Sequence, residues 1–79
     1  MSNLKKYKKA FVDSLSLSNN VKVEKLVYQS IDEWDSIGHM TLMSELESTF
    51  NITIDTDDIV EFGSFDKGKE ILKKYKVNF

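Results

Sequence analysis

The sequence contains no cysteine and no proline, and it has a single histidine, His39. The missing cysteines exclude disulfide bonds and thiolate metal sites, and one histidine excludes a metal centre built from several imidazoles. No uninterrupted apolar run is long enough to cross a membrane, and no signal-peptide pattern is present. We therefore expect a cytoplasmic protein that does not insert into membranes and has no metal site.

The length of 79 residues suits one small domain, and we expect residues 1–79 to form a single unit. A domain of this size buries only about 60% of its unfolded surface, so a deep catalytic cleft is hard to build on it. Together with the isolated histidine, this modest core argues against an enzyme that assembles a catalytic triad.

Charge is distributed very unevenly along the chain. Residues 26–66 contain ten acidic residues and no lysine or arginine, whereas residues 1–25 and 67–79 each carry a net charge of +4. Such asymmetry indicates a surface that meets a charged partner. An acidic middle argues against nucleic acid, because phosphate groups are bound by lysine and arginine.

Apolar residues recur at helical spacing in several stretches that polar residues separate. The pattern predicts helices over residues 3–16, 36–50 and 57–62, and a last helix that begins after Ser64. A polar break at residues 16–20 ends the first helix. Without paired strands, three longer helices and one short third helix indicate an all-α four-helix bundle.

Capping residues define the predicted helix ends. Asp35 is suited to cap the second helix, and Asn51 is a plausible left-handed stop at its other end. Thr56 and Ser64 are suited to cap the third and fourth helices. Residues 21–34 are ambiguous, and we interpret them as a long loop that is fixed to the core by its apolar residues, Leu26, Ile31 and Trp34. A structureless loop this long is unusual unless it has a function.

Ser36 begins the second helix and admits three interpretations. It is either a helix-start serine without chemistry, a site of covalent modification, or one half of a Ser-His pair with His39. The first turn of a helix favours an attached phosphate, because its backbone N–H groups are unpaired there. The sequence offers no acidic partner to orient His39, which is more often an exposed surface residue, so the catalytic pair ranks lowest.

The stretch WDSIGHMTLMSELESTFNI, residues 34–52, resembles the signature of acyl carrier proteins and of the related peptidyl carrier domains. The shared pattern is an aspartate, the modified serine, an aliphatic residue and an amphipathic helix that ends in an acidic-aromatic stretch. Here Asp35, Ser36 and Ile37 are followed by such a helix ending at Phe50. The order and length of the other predicted elements, including the long first loop, are also similar to those of a free-standing carrier.

The resemblance implies that Ser36 carries 4′-phosphopantetheine, which a phosphopantetheinyl transferase takes from coenzyme A. The thiol of this arm would hold an acyl or aminoacyl group as a thioester, and the carrier itself would not be an enzyme. Its partners would be the transferase, a loading ligase or acyltransferase, and downstream acyl-processing enzymes, and it would act as a monomer. The implied recognition surface comprises Asp35, Ile37, Met40, Glu45, Glu47, Asp57, Asp58 and Glu61.

The sequence departs from fatty-acid carriers two residues after the serine, where Gly38 replaces an acid. This favours a specialised biosynthetic pathway over bulk fatty-acid synthesis. Gly38 also costs about 1 kcal/mol in a helix relative to alanine, and its benefit would be clearance for an approaching enzyme. The alternatives are an aminoacyl or peptidyl carrier and, from another class, a helical interaction module in which Ser36 is never modified.

Overall fold

The computed structural model describes residues 2–18 and 20–79, which fill a volume of about 29 × 28 × 19 Å. Within these residues the chain contains no strand and forms one short 3-10 helix, Val23–Lys25, and four α-helices. The α-helices are α1 (Asn3–Ser14), α2 (Ser36–Phe50), α3 (Thr56–Glu61) and α4 (Phe65–Lys73). The prediction of a small all-α bundle with a short third helix is confirmed.

The helix α1 is two residues shorter than predicted. Leu15 is its C-cap and Ser16 has a positive φ of 54°, so the chain leaves the helix before the polar break. Asn19, part of that predicted break, lies outside the described residues. Tyr7 and Phe11 on the inner face of α1 are fully buried. Burial raises the pKa of Tyr7 far above its usual range, and its hydroxyl donates to the carbonyl oxygen of Phe65 over 2.7 Å.

The ends of α2 follow the predicted capping residues. The Asp35 side chain accepts a hydrogen bond from the backbone N–H of Gly38 over 2.8 Å, which makes Asp35 the N-cap. Asn51 adopts the left-handed conformation with φ of 53° and ends the helix. Leu42, Met43 and Leu46 are the buried residues of α2 and attach it to the core.

The short helix α3 has the predicted length but begins and ends one residue earlier than the predicted range of 57–62. It begins at Thr56 and ends at Glu61, with Asp55 rather than Thr56 at the N-cap position and without a side-chain capping bond. Asp57 and Asp58 lie in its first turn, where the helix dipole favours negative charge. The helix α4 has Ser64 as its N-cap, as predicted, and the Ser64 hydroxyl accepts from the N–H of Lys67 over 2.9 Å.

The long loop between α1 and α2 has more structure than a passive connector. Val27 forms an isolated antiparallel bridge with Ser64. On either side of this bridge, Tyr28 N–H donates to Gly63 O over 2.8 Å and Phe65 N–H donates to Leu26 O over 3.0 Å. The loop is therefore fixed to the junction between α3 and α4. This pairing was not predicted from the sequence, because no partner strand for the loop was found there.

Trp34 anchors the end of this loop in the core, as predicted, with 0% of its surface exposed. Its ring packs edge-on against Phe11 of α1 at a centroid distance of 5.3 Å. None of the helices in the described residues is long and apolar enough to cross a membrane.

Candidate functional site

Ser36 is exposed at the first position of α2, and its side chain is not the helix cap. Asp35 performs that role, since its carboxylate accepts the N–H bond of Gly38. Of the three interpretations of Ser36, a role as the side-chain cap of α2 is thereby excluded. Its hydroxyl is available for another partner, and that partner is the phenol of Tyr28, whose oxygen lies 3.2 Å from Ser36 Oγ.

Tyr28 reaches Ser36 because the loop and two aromatic rings position it. Its backbone N–H is bonded to Gly63, and its ring meets those of Trp34 and His39 edge-on at centroid distances of 6.2 and 5.2 Å. The side chain is half-buried. The backbone hydrogen bond and the ring contacts thus hold the tyrosine hydroxyl next to Ser36.

His39 is not the exposed surface histidine that the sequence suggested. Its ring is half-buried, its Nδ1 atom lies 2.9 Å from Trp34 Nε1, and its Nε2 atom lies 2.8 Å from the carbonyl oxygen of Ile59. An indole N–H can only donate, so Nδ1 accepts and Nε2 carries the hydrogen that is donated to Ile59. Both nitrogens are engaged, and neither is bonded to Ser36.

A pocket of about 380 Å³ opens beside the Ser36 side chain, between α2, α3 and the loop. Most of its wall is apolar or aromatic, and Ser36, His39 and Tyr28 are the lining residues that carry polar side-chain groups. Its lining residues are Tyr28, Ser36, His39, Met40, Ile59, Val60, Phe62 and Gly63. Ile59 and Phe62 belong to this wall, whereas Met43, Leu46 and Ile54 do not line the pocket and are buried in the core.

Large apolar side chains are also exposed around the mouth of this pocket. Ile37 and Val60 are each 79% exposed and Met40 is 54% exposed. Ile37 lies next to Ser36 in the chain, and Met40 and Val60 also line the pocket. Ile37 and Met40 thus lie where the resemblance places recognition residues.

The acidic residues of the predicted recognition surface fall into two groups. Asp35, Asp57 and Glu61 are exposed, and Glu45 is partly exposed. Asp58, by contrast, is only 6% exposed, and it accepts hydrogen bonds from Lys74 and Tyr75 over 2.5 Å each. These two hydrogen bonds hold the pKa of Asp58 below its usual range, and the bond from Lys74 has the larger effect.

Glu47 likewise has a structural contact. Its Oε2 atom accepts the backbone N–H of Ile54 over 2.7 Å and thereby ties the end of α2 to the connector before α3. Carboxylates held in this way are poorly available to a partner, so we leave Asp58 and Glu47 out of the recognition surface.

Among the described residues, no group of three or more His, Asp or Glu side chains is placed to hold a metal ion.

Gly38 has a function that the sequence did not reveal. A Cβ atom at this position would stand 2.1 Å from the carbonyl oxygen of Glu33 and 3.0 Å from Leu15 Cδ2. Glycine is therefore required by the close approach of the loop backbone to α2, rather than by clearance for an enzyme.

Tyr28 and Val60 were not identified from the sequence as residues of the candidate site, because no periodicity links them to Ser36.

Comparison with protein-family models, with curated proteins and with solved structures finds no match for this chain. The resemblance to acyl carriers therefore stays a prediction that depends on the residues around Ser36. The site fits a phosphopantetheine group in two respects. It offers an exposed hydroxyl for the phosphodiester and, next to it, a pocket with an apolar wall that can border the arm.

Proposed function

We propose that this chain is an acyl carrier protein that bears 4′-phosphopantetheine on Ser36 and delivers a thioester-bound acyl or aminoacyl group to partner enzymes. The observation that carries the proposal is the position of the Ser36 hydroxyl. It lies exposed on the rim of an apolar pocket, at a helix start that Asp35 already caps. Because Asp35 already caps the helix, capping does not explain the serine at position 36.

Attachment requires no catalytic group from the chain itself. A phosphopantetheinyl transferase would remove the Ser36 hydroxyl proton, and the oxygen would form a bond to the phosphorus that bears the pantetheine. The pyrophosphate P–O bond of coenzyme A would break, with adenosine 3′,5′-bisphosphate as the leaving group. The positive end of the α2 dipole favours the phosphodiester charge that results. The thiol of the arm supplies the thioester on which partner enzymes act.

The surface around Ser36 supports recognition by basic partner enzymes. The exposed Asp35, Asp57 and Glu61 each lie within three positions in the chain of an exposed apolar side chain, Ile37 or Val60. An apolar centre with a charged rim is typical of protein interfaces, and the charges would steer a basic partner during encounter. We propose that this surface serves the transferase, a loading ligase or acyltransferase, and the downstream acyl-processing enzymes, which meet the monomeric carrier in the cytoplasm.

The cargo class follows from the sequence only in outline. Gly38 in place of the acid that fatty-acid carriers have there favours a specialised biosynthetic pathway, and an aminoacyl or peptidyl cargo is the alternative within the carrier class. A gene for an adenylating ligase beside this one would favour loading with a free acid or amino acid. A gene for a condensing enzyme would favour acyl extension.

A helical interaction module that is never modified is the second candidate. The exposed apolar side chains of Ile37, Met40 and Val60 favour it, because they would bind a partner whether or not Ser36 is modified. A hydrolase based on Ser36 and His39 has less support. Both nitrogens of His39 are bonded elsewhere, so none is free to act as the general base for Ser36.

Incubation with coenzyme A, magnesium and a promiscuous phosphopantetheinyl transferase separates the two candidates. The carrier gains the mass of one phosphopantetheine, and a Ser36→Ala variant gains none. A folded, initially unmodified wild-type protein that gains no mass contradicts the carrier proposal and favours the interaction module.

A further inference from the structure

The contact between Tyr28 and Ser36 joins two parts of the chain that are eight residues apart. The phenol oxygen lies 3.2 Å from Ser36 Oγ, which is within hydrogen-bond distance, and either oxygen can be the donor. The Tyr28 hydroxyl is not needed to cap the helix, since Asp35 caps α2, and it is the ring of Tyr28 rather than its hydroxyl that packs against the core. We therefore look for the role of this contact in the chemistry of Ser36.

The loop holds Tyr28 in place on both sides of its α-carbon. Its own N–H is bonded to Gly63, and the next residue, Gln29, donates its N–H to Trp34 O over 3.0 Å. Gln29 adopts a positive φ of 66°, a conformation that non-glycine residues seldom adopt. A compact turn is thereby closed between Tyr28 and Trp34, and its geometry sets the position of the tyrosine backbone.

The ring of Tyr28 is fixed by the same neighbours that form the pocket. It packs edge-on against Trp34 and His39, and His39 is itself locked between Trp34 and Ile59. The hydroxyl therefore points to the start of α2 from a support that is rigid by packing and hydrogen bonds. A donor held in this way loses little freedom when it binds an anion.

We propose that the Tyr28 hydroxyl donates a hydrogen bond to the phosphodiester on Ser36 and thereby sets the direction in which the arm leaves the protein. This inference rests on the proposed function. Once Ser36 Oγ is esterified it can no longer donate, so the tyrosine becomes the donor and phosphate oxygens become its acceptors. Hydrogen bonds to charged oxygens are stronger than neutral ones, so the contact is expected to persist in the modified protein.

Because Tyr28 also lines the pocket, a phosphate held at its hydroxyl would lie at the pocket mouth. The arm would then leave along the apolar wall that Met40 and Val60 provide, rather than straight into solvent. The specificity of partner enzymes would depend on this direction, because they must find the thiol end of the arm. Tyr28 would in this way contribute to the carrier without any role in bond making.

The test compares wild type, Tyr28→Phe and Tyr75→Phe, each before and after modification. Tyr28→Phe keeps the ring that packs on Trp34 and His39 and removes only the hydroxyl. Tyr75→Phe is the matched control, since it makes the same chemical change at a hydroxyl that contacts Asp58 and the backbone of Asp55 instead of Ser36. Intact mass first establishes that each protein carries one phosphopantetheine.

The ³¹P resonance of the modified proteins is then recorded under native conditions and in denaturant. We expect the native wild-type resonance to be displaced from its denatured position and Tyr28→Phe to lose most of that displacement, while Tyr75→Phe retains it. Urea unfolding supplies a second measurement. The effect of modification on the unfolding equilibrium constant should differ between wild type and Tyr28→Phe by about five- to tenfold, the difference between a hydrogen bond to a charged group and a neutral one.

An unchanged ³¹P resonance in Tyr28→Phe overturns this inference and leaves the proposed function standing. An equal change in Tyr75→Phe also overturns it, because the effect would then come from a general loosening around α3. A wild-type protein that cannot be modified overturns the proposed function and this inference together.

Discussion

Trp34 donates its indole N–H to the Nδ1 atom of His39 over 2.9 Å, and the other ring nitrogen of His39 reaches the carbonyl oxygen of Ile59 in α3. The histidine on α2 thus links the end of the long loop to the short third helix. Trp34 is fully buried, and His39 is the hydrogen-bond partner of its N–H. His39 and Ile59, which this link joins, both line the pocket beside Ser36.

We expect His39→Ala to lower the free energy of unfolding by about 1–3 kcal/mol, because it leaves a buried donor and a carbonyl without partners. Urea unfolding followed by the fluorescence of Trp34, the single tryptophan, measures the change. Ser44→Ala, on the exposed side of the same helix, is the control and should change stability by less than about 0.5 kcal/mol. Equal stability of the two variants would contradict the role assigned to His39.

Gly38→Ala is expected to destabilise the protein although alanine is the better helix former by about 1 kcal/mol. The added Cβ would stand 2.1 Å from the carbonyl oxygen of Glu33, so the loop or the helix must move. The urea midpoint should fall, whereas it should hold or rise in Ser48→Ala, another exposed position on α2. A stabilised Gly38→Ala protein would show that the loop yields freely and that the glycine has no packing role.

Asp58 should make stability dependent on pH in the acidic range. Hydrogen bonds from Lys74 and Tyr75 hold its pKa in the folded protein below the ordinary value of 3.8. The stabilisation is therefore fully present above the unfolded pKa and is lost as pH falls through the lower folded pKa. Thermal unfolding of wild type and Asp58→Asn should differ at pH 7 and converge below about pH 4.

The exposed neighbour Asp57 supplies the control for this comparison. Asp57→Asn changes the same helix by the same chemistry, but its carboxylate lies at the surface rather than against α4. It should lower the melting temperature at pH 7 by much less than Asp58→Asn does. A constant gap between wild type and Asp58→Asn from pH 7 to pH 3 would contradict the ion-pair explanation.

Glu61→Lys should slow modification of Ser36, and the effect should be larger at low salt. Glu61 is exposed at the end of the helix that borders the pocket, and a lysine at a helix C-terminus is compatible with the dipole. Initial rates of modification at several salt concentrations measure the effect, because salt screens exposed charges beyond about 10 Å at 0.1 M. Glu70→Lys on α4 is the control, and equal salt dependence of both variants would contradict steering by the α3 surface.

Local signals explain why the helices could be predicted from the sequence. Asp35, Asn51 and Ser64 each act on the backbone within a few residues, and each lies at the helix end that its side chain favours. Thr56 shows the limit of such signals. It is a good capping residue, yet Asp55 occupies the cap position, and a short helix can shift by one residue at little cost.

The features that could not be predicted depend on contacts between distant parts of the chain. The bridge between Val27 and Ser64 involves one residue on each side and leaves no periodic pattern. Asp58 belongs to a run of acids that suggests a solvated face, and only the approach of α4 shows that it is buried. For the proposed site, Ser36 was singled out by its helix-start position and by the resemblance of the residues around it, but Tyr28 was not, because its contact depends on how the loop closes.

The intact mass of the protein after incubation with coenzyme A, magnesium and a promiscuous phosphopantetheinyl transferase tests the central proposal most directly. We expect a gain of one phosphopantetheine in wild type and in Ser44→Ala, and no gain in Ser36→Ala. Circular dichroism should show that Ser36→Ala keeps its helices, because Asp35 remains as the cap. A wild-type protein that stays unmodified, or a Ser36→Ala variant that is modified elsewhere, would contradict the proposal that Ser36 carries the phosphopantetheine.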